Sequence, residues 1–117
     1  MRRITDSSCI VESREFGGAT YEVCATGLAS FDETETALTV KLDSFVRRVN
    51  PQGADTVIRP AWLPRGETVR HAISQDEAAD EAREAFHRWT DKVKRSVPSL
   101  AEFEASVGIT RKQGKPA

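Results

Sequence analysis

Cysteine is scarce in this chain of 117 residues: Cys9 and Cys24 are the only two. An extracellular chain of this size is normally stapled by four or more, so the pair reads as two reduced thiols in a cytoplasmic protein. The two histidines, His71 and His87, add no ligand spacing to them, which argues against a metal or other resident cofactor. Apolar runs never exceed a few residues, far short of the roughly 20 that cross a bilayer as a helix. Met1-Arg2-Arg3 resembles the start of a secretory signal, but Thr5-Asp6-Ser7-Ser8 stands where its apolar stretch belongs. No glycine loop leads into a lysine that could cradle a phosphate; Gly17-Gly18 lies between two extended runs, and Gly114-Lys115 is in a polar tail. An excess of one charge is missing as well. Lys plus Arg is 17 and Asp plus Glu is 18, for a net charge of −1, whereas proteins that coat nucleic acid are usually basic. Twelve arginines against five lysines match a high-GC bacterial composition.

What is present suffices for one domain. With 38% hydrophobic and 30% charged residues the chain can bury one core, expected over residues 1–108, followed by a disordered basic tail over 109–117. Cys9–Phe16 and Thr20–Ala25 alternate around Gly17-Gly18 and read as a β-hairpin. A three-residue loop sets Arg14 opposite Glu22 and Val11 opposite Ala25, separating an apolar face from a charged one; a two-residue loop, setting Glu12 against Val23 and Arg14 against Tyr21, separates them less cleanly.

A helix is expected from Phe31 to Val49. Ser30 and Glu33 form a capping box, acids precede Arg47-Arg48, and Leu38, Leu42, Phe45, Val46 and Val49 follow a 3.6-residue period. The alternation of Leu38, Val40 and Leu42 in a Thr- and Val-rich stretch supports a strand instead. Thr56-Val57-Ile58 and Glu67–Ile73 are extended pieces flanking an irregular, proline-bearing loop. The clearest element is a helix from Gln75 to Val97, with Ser74 and Glu77 as capping box and Ala78, Ala82, Ala85, Phe86, Trp89, Val93 and Val97 as its apolar stripe. Leu100–Val107 makes a short last helix ended by Gly108. A shift of 44 residues lays Ser30-Phe31-Asp32-Glu33 on Ser74-Gln75-Asp76-Glu77 and Phe45 on Trp89, suggesting a tandem ββα duplication, although any two capped amphipathic helices share such a pattern. The expected fold is α+β: an antiparallel sheet of about four strands with two long helices on one face, Phe45, Phe86 and Trp89 filling the layer between.

No catalytic grouping stands out. Cys9 and Cys24 point to opposite faces of the expected hairpin and so cannot share one histidine base, although His71 would neighbour a cysteine if its strand paired beside the hairpin. The acids Asp76, Glu77, Asp80, Glu81 and Glu84 read as a solvated helix start. The segment that draws attention is 59–66, where Trp62 and Leu63 lie between two prolines and between Arg59 and Arg65. A stiffened loop presenting Trp is a low-entropy anchor for a protein partner, while the alternative has Trp62 folding back to close the core. Trp62, Leu63, Arg59, Arg65 and Arg70 are therefore the candidate binding residues. The expectation is a non-enzymatic interaction or regulatory module, a homodimer that binds protein partners through an uncovered sheet face and the Trp62 loop. An arginine-lined pocket for a small anionic ligand is the second reading. Nucleic-acid binding is the third, weakened because the body without Arg111, Lys112 and Lys115 carries 14 basic against 18 acidic residues.

Overall fold

The computed structural model describes residues 2–32 and 37–113. Five strands come first: β1 (Arg2–Phe16), β2 (Ala19–Asp32), β3 (Ala37–Arg48), β4 (Thr56–Ile58) and β5 (Glu67–Ala72). Two helices follow, α1 (Gln75–Ser96) and α2 (Leu100–Gln113). All strand pairs are antiparallel, in the order β1-β2-β3, with β4 and β5 sharing the outer side of β3. β5 pairs with Ala37–Leu42 and β4 with Val46–Arg48, so the outermost strand is one strand broken by the 59–66 loop.

The α+β class and the antiparallel sheet are as expected, but the segment from Phe31 to Val49 is not a helix. It holds the end of β2, residues 33–36 outside the described structure, and β3. Leu38, Val40, Leu42 and Val46 are buried on one face of β3, while Lys41 and Asp43 on the other are exposed. That is the period of 2 that a half-covered strand needs. Both neighbours of β3 supply backbone partners, and these decide against the local capping signal, much of which sits in β2 and in residues 33–36. A tandem ββα arrangement therefore loses its first helix; the chain runs through five strands and then two helices.

The hairpin takes the shorter loop. Gly17 and Gly18 have φ of 62° and 76°, the doubly left-handed turn that two glycines accept without penalty. Phe16 then pairs with Ala19, Arg14 with Tyr21 and Glu12 with Val23. The faces remain separated because a bulge between Ile10 and Glu12 resets the register, leaving partly buried Val11 against the core. Arg14 thereby lies on the helix-covered side, bonded to Glu12 Oε2 at 2.6 Å and with its guanidinium 5.0 Å over the Phe103 ring.

Helix α1 crosses the face formed by Tyr21, Val23, Ala25 and Ala29 of β2 and Leu38, Val40 and Val46 of β3. Its alanines, Ala78, Ala82 and Ala85, bring the helix axis close to the sheet, and Trp89 and Val93 fill the space further along. Gly27 on β2 completes the fit, since a Cβ there would sit 2.6 Å from the Phe86 ring. Phe45 does not join this layer, because its register partner is Cys24 on the opposite face. Ser74 caps α1 differently from the expected box: its hydroxyl donates to Glu77 Oε2 at 2.8 Å, and its carbonyl accepts from Glu77 N at 3.1 Å. Val97 is extended, as a residue before proline prefers, and ends α1. Ser99 then opens α2, its hydroxyl accepting from Glu102 N. Helix α2 spans Leu100–Gln113, running through the Gly108 that was expected to end it. A helical glycine costs only about 1 kcal/mol, which need not end a helix.

Candidate interaction surface

Helix α1 packs on one face of the sheet, and among the described residues no helix is seen to pack on the other. The other is built from the residues that alternate with the core positions, and the register sets them in rows across the strands. Ile10, Cys24 and Phe45 form one row; Glu22, Arg47 and Val57 form the next. On the far side of the first row lie Ser8, Thr26 and Asp43, then Asp6, Leu28, Lys41 and Thr68. Ile10 is 49% and Val57 51% exposed, which for large apolar side chains marks uncovered surface. A depression of about 310 Å³ is lined by Ile10, Cys24, Phe45 and Arg47 among others.

Electrostatics hold this face in shape. Arg47 donates to Glu22 Oε1 through Nη2 at 2.6 Å and through Nε at 3.1 Å, with Asp55 Oδ2 at 3.5 Å. The bond to Glu22 raises the Arg47 pKa above its ordinary range. Cys24 is only 4% exposed, and burial pushes its thiol pKa up, against the opposing pull of Arg47. A thiol held neutral in this way is a poor nucleophile.

The histidines lie elsewhere. His71 on β5 shares the register of Leu38, on the helix-covered side, with Nε2 3.3 Å from Glu81 Oε2 of α1. Its strand pairs with β3 and not with the hairpin, so β3 stands between it and Cys24, on the other face. His87 is exposed on α1, 3.7 Å from Asp91. Among the described residues no three His, Cys, Asp or Glu side chains cluster as metal ligands. No helix among them is long and apolar enough to cross a membrane.

The sequence-derived binding residues are dispersed. Trp62 folds inward: its ring lies 5.5 Å from that of Phe103, and Nε1 donates to Ser106 Oγ at 2.9 Å. Leu63 is also half-buried against the core. Of the two readings of Trp62, the inward one describes its position: its ring packs on Phe103, which is fully buried. Arg59 reaches Asp43 Oδ2 at 3.3 Å, Arg65 is exposed in the loop, and Arg70 lies in the row of Ser30 and Thr39 on the uncovered face. The loop departs opposite Asp43–Phe45, where the outer strand is interrupted, and there Trp89 Nε1 donates to the Asp43 carbonyl at 2.7 Å and Ser44 Oγ to the Pro64 carbonyl at 3.4 Å. Ile10, Leu28, Phe45 and Val57 were missed as surface residues. The signal was available in the parity of β3, where Phe45 is out of step with Leu38, Val40 and Leu42.

Comparison with protein-family models, with curated proteins and with solved structures yields no match.

Proposed function

We propose that the protein is a non-catalytic interaction module that works as a homodimer and meets protein partners on the uncovered face of its sheet. The observation that carries this reading is that α1 packs on one face of the sheet, while the other offers Ile10, Val57, Leu28 and Phe45 within a frame of small hydroxylated and paired charged residues. Such a surface, apolar at its centre and polar around it, has the composition of a protein interface. The loop at 59–66 contributes to the reading only through Arg59 and Arg65, since Trp62 is engaged with α2.

Native mass spectrometry of the purified protein tests this. A dimer of bare chains at tens of micromolar is the expected result. A bare monomer at that concentration overturns the homodimer. A monomer with a reproducible adduct of a few hundred daltons replaces the reading with the anionic-ligand one.

A further inference from the structure

The two edges of the sheet are treated differently. The outer edge is cut into a strand of three residues and one of six by a loop containing Pro60 and Pro64, and short, proline-interrupted edges resist pairing with other chains. The opposite edge is β1, 15 residues without a proline or a lysine, and among the described residues no strand lies on its outer side. Its two bulges, between Arg3 and Thr5 and between Ile10 and Glu12, isolate a regular window at Thr5–Ile10. Within that window alternate residues turn their backbone N–H and C=O away from β2, the side chains at its middle are Ser7, Ser8 and Cys9, and Asp6 is the single charge.

We propose that β1 pairs with β1 of a second copy, antiparallel, over this window. The proposal rests on the homodimer reading above and assigns its contact. A two-fold axis normal to the sheet requires one residue to face its own copy, and the window places that residue at Ser7 or Ser8. Charge selects Ser8. Centred there, Asp6 lies opposite Ile10 of the second copy, and the two Asp6 positions are four residues apart, about 14 Å along the strand and beyond a Debye length of about 8–10 Å. Centred on Ser7, they approach to about half that distance. The result is a ten-stranded sheet with both helical layers on one side and both uncovered faces on the other, one continuous platform for a partner. It also covers the regular edge window between the two bulges, the part of β1 that they leave open to other chains.

Light scattering after size exclusion should give about twice the 12.9 kDa chain mass for the wild type. Ser8→Lys sets two like charges directly opposite across the two-fold, and should give a monomer with an unchanged circular dichroism spectrum, its melting temperature lower than the wild type only by the concentration-dependent stabilisation that dimerisation adds. A Ser8→Lys protein that stays dimeric overturns the proposal. If the same wild-type dimer is lost instead on Phe45→Lys, the contact is on the uncovered face: the edge proposal fails while the homodimer reading stands. A monomeric wild type removes both. Hydrogen exchange on the unmodified protein guards against a variant that misfolds. The outward-facing amides of Thr5–Ile10, those not bonded to β2, should slow as concentration rises through the dimerisation range, and no change in a protein that does dimerise overturns the edge contact.

Discussion

Replacing Gly27 with alanine puts the sheet-to-helix packing to a quantitative test, because two effects of opposite sign meet there. In a strand interior, alanine is favoured over glycine by about 0.5–1 kcal/mol, as glycine loses more backbone freedom on folding. Gly27 has no positive φ to forbid the exchange. The added methyl, however, would sit 2.6 Å from Phe86 Cδ1 and 3.3 Å from Phe86 Cε1 and Leu42 Cδ2. The half-buried Phe86 ring would have to leave its packed position beside a helix closely seated through Ala82 and Ala85, and overpacking of this kind costs about 1–3 kcal/mol. Sterics should win, leaving a net loss of about 1–2 kcal/mol and a melting temperature lower by roughly 4–10 °C for a domain of this size. Thermal unfolding followed by circular dichroism reads it directly. A double-mutant cycle with Phe86→Ala isolates the cause: in the Phe86→Ala background, Gly27→Ala should become neutral or mildly stabilising. An unchanged or higher melting temperature for the single Gly27→Ala variant would refute the close-approach argument, as would an equal penalty in both backgrounds.

Other positions make sharp predictions. Trp62→Ala should lower stability by about 2–3 kcal/mol, because a half-buried ring on Phe103 is removed; Trp62→Phe should cost only about 1 kcal/mol, the bond to Ser106. Equal losses measured by urea denaturation would show that the ring contact matters little. A thiol reagent near pH 8 should titrate one cysteine per native chain, the exposed Cys9, and both after denaturation, since Cys24 is buried with a raised pKa. The same burial links stability to alkali. The unfolded thiol ionises near its ordinary value of 9.0 while the folded one resists, so the contribution of Cys24 is intact below that pH and falls as the pH rises above it. Cys24→Ser, which removes the titration, should flatten that part of a stability-against-pH curve.

Much of the framework was legible from local signals. The long helix declares itself through acids at its start, bases at its end and an apolar stripe, and the structure has it over Gln75–Ser96. The tight turn was announced by Gly17-Gly18, and the start of α2 by Pro98-Ser99. These features depend on residues within a turn or two of one another. β1 and β2 extended further than their patterns suggested, to Arg2 and Asp32, because Thr5–Ser8 is an edge segment with little apolar alternation and is ordered by the neighbour it pairs with. The candidate surface was the least legible part, because which side of a strand is covered depends on where a distant helix lands.

The sequence by itself determined where the chain would turn, which stretch would be the amphipathic helix, and that the fold would be α+β with an antiparallel sheet. Tertiary structure alone decided that Ala37–Arg48 is a strand, that a bulge at Val11 would reconcile a two-residue turn with the hairpin's faces, that Trp62 would seat on Phe103, and that Phe45 would face away from the core. The physical reason is common to all four. Caps, turns and periodicities lower the energy of a segment considered alone, whereas a strand's hydrogen bonds, a register and the covered side of a sheet are supplied by other segments, and at these positions those distant partners outweigh the local preference.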